Sequence, residues 1–476
     1  MELKLVLKNA AALSMASVLA KAIAAIVGIA VTRYLGPGPF GQYSSAYAFV
    51  STFILFTDFG LSQLMVQDGS RDERVLPVAL GNTLLFRIAA SAVVYIAMLV
   101  LMHPAGYDAT VQTMVVILGL ASILNALDAS IYNYYQAKQL MYVAAGYQFL
   151  SMFLIGGLTV LVVMARGSVV SIAWTHLATF ALISLLLYRA VSQDLRLRAD
   201  LGQLPFMLKR GLGFGIAYIF YNVYFQIASV IISIMRTPAE VGIYSAAYRL
   251  VSILLFIPGI LTSVLYPVLY QLGVTSQEKH RETIEKIFKV LSAVGIPGSV
   301  LLFVLAQPLL AWLYARRFAE SVPIMMILSW FFALECLSFS LGDVLTTTDR
   351  QWSRTWIQGI AAAGNILLNL LLIPSYGIYG SAWATIATEV FVFGAYYWVV
   401  RRRVYRVRIW RQLPVVVGAS LVMGAVAFAL RSLHPVVAAG FAGVVYLAVL
   451  LAADRDFRRI GSYAWRQGAR LGKVRG

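Results

Sequence analysis

The sequence is short of charge, of cysteine and of histidine, and each shortage argues against something. Charged residues make up 12% of the 476 positions, where a soluble domain carries about 25%. Hydrophobic residues make up 61%, and the mean hydropathy is +0.80. So little polar surface cannot cover so apolar a core in water, and the solvent that suits the chain is lipid. The single cysteine, Cys336, sits in an apolar run and cannot form an intrachain disulfide. Four histidines without metal-ligand spacing argue against a zinc or haem site. There is no glycine-rich loop to cradle a phosphate, so no cofactor is expected. Acidic residues are scarce too, 20 against 38 basic ones, a net charge of +18. On a soluble protein that excess would suggest nucleic acid. Here it is gathered between hydrophobic spans, and no soluble basic domain exists to carry such binding.

What is present is a series of apolar runs. A helix needs about 20 apolar residues to cross the hydrocarbon core. The runs predict fourteen spans: 10–33, 43–64, 79–102, 112–135, 143–165, 169–190, 211–235, 243–270, 287–314, 322–346, 355–374, 379–400, 413–431 and 436–452. The connections are short and rich in breakers, such as Gly36-Pro37-Gly38-Pro39 and Pro374-Ser375-Tyr376-Gly377. The first run follows Lys4 and Lys8 but continues to about Tyr34 and contains Lys21. It is too long for a signal-peptide core and reads as an uncleaved first helix.

With the N-terminus inside, the segments on the cytoplasmic side hold 29 Lys and Arg residues and those on the outer side 6. That bias sets the orientation. Both termini are expected in the cytoplasm of a bacterial or archaeal cell, with the chain multi-pass in the cytoplasmic (inner) membrane. All outer loops are short, so the activity is expected within the membrane.

The chain also resembles itself. Gly41-Gln42-Tyr43-Ser44-Ser45-Ala46-Tyr47 opens span two, and Gly242-Ile243-Tyr244-Ser245-Ala246-Ala247-Tyr248 opens span eight. Ala173-Trp174-Thr175 in span six parallels Ala382-Trp383-Ala384 in span twelve, and Phe86-Arg87 parallels Phe288-Lys289. The offset is about 200 residues and six spans. Six is even, so the copies run in the same direction and would be related by an axis along the membrane normal. The reading is two parallel six-helix bundles, 1–210 and 211–410, around a central cavity. A two-helix hairpin and basic tail follow at 411–476. The fold class is an all-α polytopic membrane protein, and the arrangement is that of a transporter.

An ionisable group at the bilayer centre costs at least about 2.5–3.5 kcal/mol, so it normally faces a cavity or a partner. Lys21 lies mid-span in one, Arg249 a third of the way into eight, and Arg87 nearer the cytoplasmic end of three. A cationic cavity suits an anionic ligand, and arginine offers a bidentate fork to phosphate oxygens. Snorkelling explains Arg87 nearly as well. Asp58, Asp128, Glu335 and Glu389 are candidates for ion coupling or for ion pairs, and Asp58 could pair with Arg87 or Lys21. His176 is a candidate proton site or a hydrogen-bonded structural residue. Asp343, near the inner boundary, needs no special account. Span seven presents Tyr218, Tyr221, Asn222 and Phe225, a surface for sugar rings or simply for packing. Gly28, Gly36, Gly41 and Gly60 are expected to permit close helix approach or bending, and kinks are expected at Pro258, Pro267 and Pro297.

Arg33-Tyr34-Leu35-Gly36-Pro37-Gly38-Pro39-Phe40-Gly41-Gln42-Tyr43 resembles the first outer loop of polysaccharide-biosynthesis flippases, often R-x-L-G-P-x-x-F-G-x-Y. Asp58-Phe59-Gly60-Leu61 is similar to their D-x-G-L element. Pro374-Ser375-Tyr376-Gly377-Ile378-Tyr379-Gly380-Ser381-Ala382 resembles their P-x-x-G-x-x-G-A-A turn, with Ser381 in place of the first small residue. These flippases belong to the multidrug/oligosaccharidyl-lipid/polysaccharide (MOP) exporter superfamily. The resemblance implies a non-enzymatic carrier, a monomer working with polysaccharide polymerase or assembly proteins. Its substrate would be a polyprenyl-diphosphate-linked oligosaccharide for O-antigen-type surface glycan. Lys21, Arg249 and Arg87 would meet the diphosphate; related lipid II flippases carry cavity cations on spans one and eight, which Lys21 and Arg249 match by placement. Their last hairpin forms a lipid-facing groove, whereas the hairpin here is short of polar residues and departs from that pattern. A drug exporter of the same superfamily would need acidic groups to dominate the cavity. A membrane polymerase or ligase would need larger outer loops or a catalytic cluster.

Overall fold

A computed structural model describes residues 23–194, 198–411, 413–454 and 456–458. Every regular element among them is helical. Among the described residues eleven helices are long and apolar enough to cross a membrane, and a twelfth if one bent pair is a single span. The chain is thus an all-α, multi-pass membrane protein.

The helices start where the chain's chemistry starts them. α1 (Ile23–Leu35) is the described part of the first span. Gly36 (φ 74°) turns the backbone, and α2 (Pro37–Ile54) begins on two prolines that lack the N–H a first turn leaves orphaned anyway. α2 and α3 (Leu61–Gly69) were expected as one span, but they are bent by 50°. The break runs through Asp58, Phe59 (φ 47°) and Gly60 (φ 82°). α4 (Leu76–Leu101) follows, then α5 (Ala109–Ala137), capped by Asp108, whose carboxylate accepts from the Val111 N–H at 2.8 Å. α6 (Met141–Met164), α7 (Val169–Asp194) and α8 (Leu204–Met235) complete the first half.

α9 (Pro238–Leu254) opens on a reciprocal cap: Thr237 N–H and hydroxyl donate to Glu240 Oε2, and the Glu240 N–H donates to Thr237 Oγ1. α10 (Phe256–Thr275) is separated from α9 at Leu255. Pro258 is the cause: its ring conflicts with the carbonyl four residues back, that of Leu254. Pro297 instead lies inside α11 (Gln277–Val304) without ending it, and α10 likewise runs through Pro267. α12 (Ala306–Tyr314) and α13 (Ser321–Thr347) follow. α14 (Gln351–Arg403) is two helices joined at Gly377 (φ 58°, ψ −143°), the turn expected between spans eleven and twelve. α15 (Leu413–Ala429) and α16 (Pro435–Ala453) form the terminal hairpin.

The chain divides into two compact units. One takes the chain up to Ala246 together with Gln358–Ser381, the other Ala247–Ile357 with Ala382 onward. In the first unit, Ala46, Phe49 and Val50 of α2 pack with Met98 of α4, Met114 of α5 and Ala173 of α7. A second cluster joins Leu61 and Met65 of α3 to Leu80, Tyr134 and Ile183. α2 meets the start of α9 at backbone distance. A Cβ on Gly41 would fall 1.6 Å from the Pro238 carbonyl oxygen, and one on Gly242 would fall 2.0 Å from that of Pro37. Pro37 and Pro238, like Gly41 and Gly242, are matching positions of the internal repeat. In the second unit, Gly295 of α11 lets Cys336 of α13 approach, a Cβ there falling 2.6 Å from its Cβ. α15 and α16 pack on α11 through Met423, Ala442, Tyr446 and Val300.

Candidate functional site

The best-defined polar centre of the first unit is built on the break between α2 and α3. The left-handed turn at Gly60 lies against a small-residue face of α8. A Cβ on Gly60 would fall 2.2 Å from the Gly211 carbonyl oxygen and 2.6 Å from the Gly215 nitrogen. Only glycine satisfies both the φ and the contact. The break points Asp58 at Arg87 of α4, with which it forms a salt bridge. Arg87 is 5% exposed. It also donates to the Ala126 carbonyl, to Ser130 Oγ at 2.8 Å and to Ser62 Oγ at 3.2 Å. The Ser62 hydroxyl donates to Asp58 Oδ1 at 2.6 Å. Four elements therefore meet at one guanidinium, and Tyr218 of α8 lies close enough to feel both charges. Of the roles read from the sequence, the Asp58–Arg87 pairing is present. The Arg87 guanidinium donates to Asp58, Ala126, Ser130 and Ser62, all within the first unit.

Other site residues are placed as follows. Lys21 lies outside the described residues. Arg249 is half-buried on α9, near enough to influence the buried hydroxyl of Tyr314 on α12. Tyr218 and Tyr221 are 55% and 41% exposed, and Asn222 donates to the Tyr218 carbonyl at 2.8 Å. Phe225 packs on Tyr221, ring centroids 4.8 Å apart. The stripe thus presents aromatic faces rather than burying them. His176 Nε2 is 3.0 Å from the Tyr43 hydroxyl, tying α7 to α2. Asp128 is buried on α5, and its Oδ1 accepts from Ser184 of α7 at 2.7 Å. In the second unit Glu389 is fully buried and accepts from Ser338 Oγ at 2.5 Å. Glu335 lies on α13, one turn before Ser338.

Two polar centres escaped the sequence reading. Asp343, which seemed to need no account, is fully buried. It accepts from the Tyr266 hydroxyl at 2.6 Å and pairs with Arg354 at 3.4 Å, which also donates to Thr346 Oγ1 at 2.8 Å. Opposite charges on either side of the turn between spans ten and eleven were the available signal. Lys289, the repeat mate of Arg87, bridges to Asp454 at 2.7 Å and Asp456 at 2.8 Å, just beyond α16. Those two acids close the last apolar run.

The class the structure defines is a polytopic all-α membrane protein with one bent span and charge pairs inside its apolar segments. The chain belongs to the polysaccharide biosynthesis protein family, whose model matches residues 30–323. It is 25% identical over 244 residues to the probable flippase AglR of Haloferax volcanii, across 50% of this chain and 46% of that protein. The chain therefore spans less than half the length of that relative. The lipid II flippase MurJ, in an inward closed conformation, shares the fold with a TM-score of 0.81 at 14% identity, over 93% of this chain and 99% of MurJ. An inward-facing MATE multidrug transporter of the MOP superfamily shares it at 0.66 and 15% identity, over 80% and 93%.

Proposed function

We propose that the protein is a flippase. It carries a polyprenyl-diphosphate-linked oligosaccharide from the cytoplasmic to the outer leaflet by alternating access. The observation that carries the reading is membership of the polysaccharide biosynthesis family across residues 30–323. In this mechanism Lys21 and Arg249 take the diphosphate, because a doubly charged group needs more than one cation in a low dielectric. Tyr218, Tyr221, Asn222 and Phe225 offer ring faces and an amide to the first sugars. The polyprenyl chain stays in lipid. Arg87 is occupied by Asp58, and its role is to hold the broken second span.

Two parallel bundles, 1–210 and 211–410, supply the rocking elements. The reciprocal approach of Gly41 to Pro238 and of Gly242 to Pro37 supports that arrangement, since a twofold axis makes matching positions meet in this crossed way. Asp128, Glu335 and Glu389 are the coupling groups, because a buried carboxyl that exchanges a proton changes the charge a span must carry. His176 works as the structural partner of Tyr43. The charge bias supports both termini in the cytoplasm, and in this reading the protein acts as a monomer beside the polymerase of the same pathway. No step is catalytic.

The test is charge reversal at Arg249 in the native host. R249E is expected to abolish surface glycan and to accumulate the lipid-linked oligosaccharide on the cytoplasmic side, with the protein still in the membrane. Normal glycan from that variant would overturn the assignment. Drug sensitivity of a deletion strain with normal glycan would point to a drug exporter instead.

A further inference from the structure

Apart from these polar centres, the first unit holds a cavity of about 400 Å³ between α4, α5 and α7. That is within the range of small-molecule sites, roughly 300–1,000 Å³. Its walls are Leu84, Leu85 and Ile88 of α4 with Leu127 and Ile131 of α5. Leu85 and Ile88 are 43% and 54% exposed, so the cavity opens through the apolar flank of the unit rather than into its core. Asp128 and Ser184 also line it, Asp128 at 1% exposure with Oδ1 accepting from Ser184.

One end of the cavity is polar and deliberately built. Arg198 and Ala199, in the connection from α7 to α8, line it beside Tyr188. This connection is fastened to the start of α4. The Asn82 amide donates to the Asp200 carbonyl and its Oδ1 accepts from the Asp200 N–H, each at 2.9 Å. Gly81 makes room, since a Cβ there would fall 2.2 Å from the Arg198 carbonyl oxygen. The side chains of Arg198 and of Arg189, next to Tyr188, are exposed, and neither is in an ion pair among the described residues. An apolar slot along the lipid-facing helices, ending in the Arg198 cation at the level of the helix ends, has the charge order of a lipid with an anionic headgroup.

We infer that this cavity is a binding site for an anionic glycerophospholipid of the bilayer, one acyl chain in the slot and the phosphate on Arg198. The site is separate from the flippase reading and stands without it. A resident lipid there would wedge α4 against α5 and α7, where the Asp58–Arg87 node is seated.

The test is native mass spectrometry of the full chain, purified in mild detergent and exposed to phosphatidylglycerol or phosphatidylcholine with identical chains. The wild type is expected to retain one phosphatidylglycerol and at least fivefold less phosphatidylcholine. R198E, an exposed change, removes the headgroup contact. I88W fills the slot from its open side. Each is expected to lower phosphatidylglycerol retention at least fivefold, while R198K keeps it and L421W, on the exposed face of α15, leaves it unchanged. Equal retention of the two lipids, or wild-type retention by both variants, would overturn the proposal. So would preferential retention of a polyprenyl diphosphate, which would make the slot part of the substrate path.

Discussion

Substituting Gly41 by alanine should separate two helices, and the size of the effect follows from one distance. The added Cβ would sit 1.6 Å from the Pro238 carbonyl oxygen, and real Cβ contacts essentially never fall below 3.0 Å. The obstacle is backbone, so no side chain can swing away. α2 and α9 must part by about 1.4 Å at their crossing, and overpacking of this kind costs roughly 1–3 kcal/mol. Gly242→Ala meets the Pro37 oxygen at 2.0 Å and should cost a similar or slightly smaller amount. Because one separation relieves both clashes, the double variant should be less destabilised than the sum of the singles. Distant, independent sites would instead add within about 0.3–0.5 kcal/mol. Thermal unfolding of the four proteins in nanodiscs, followed by tryptophan fluorescence, gives the cycle. Gly38→Ala is the control, with nothing within 4 Å of its Cβ. Surface glycan from the same variants reports whether the crossing is used in transport. Wild-type stability in G41A, or strict additivity in the double, would refute the reciprocal contact.

Two further outcomes can be measured. Arg87→Ala strands Asp58 beside an emptied site, and breaking a buried pair from one side typically costs about 3–5 kcal/mol; in detergent the variant should unfold well before the wild type, and Asp58→Asn in the same chain should recover part of the loss. A double variant no more stable than R87A would reject the pairing. Asp454, just outside the last span, is held below the ordinary carboxylate range: burial pushes it up, but Lys289 and the N–H groups of Asp456 and Phe457 outweigh burial. A depressed carboxyl stabilises above its unfolded value, about 3.9, and loses that contribution as pH falls through the lower folded value. Hydrogen exchange across α15 and α16 should therefore be flat from neutral pH to about 4 after correction for intrinsic rates, and should rise below it. A rise confined to higher pH, absent in Lys289→Ala, would contradict the assignment.

Apolar length was the legible part of the sequence, because each span must carry its own hydrophobicity. The helices from α4 to α8 start and stop near the expected limits for that reason. The break in the second span was read only as a glycine, Gly60, that permits bending or close approach, although Asp58-Phe59-Gly60 contains its full cause. A left-handed glycine looks like any small residue in an apolar run until the helix opposite, with Gly211 and Gly215, shows what it must avoid. Pro258 was read as a kink, and the helix is interrupted three residues earlier, at Leu255, whose backbone stays in the αR region. The ion pairs divide in the same way. Asp58 and Arg87 are 29 positions apart, and pairing was one of several options; only the break, by turning Asp58 toward α4, selects it. Asp343 and Arg354 were missed because a charge near a span end has solvent as an obvious partner.

The pairing of Lys289 bears on why two more spans follow the repeat. Arg87 and Lys289 occupy matching positions, so each half inherits a cation on its third span. A cation there needs an opposite charge, since leaving it unpaired among apolar helices costs several kcal/mol. In the first half the break in α2 and α3 delivers Asp58 from within the repeat. In the second half the counter-charge comes from outside the repeat, from Asp454 and Asp456 beyond α16. The hairpin also seats Tyr446 on the Ala293 carbonyl at 2.8 Å, one turn along the same helix as Lys289. The appended spans therefore complete the second half electrostatically as well as by packing. The hairpin's acidic residues lie at the end where the cation is, and one face of its two helices packs on α11.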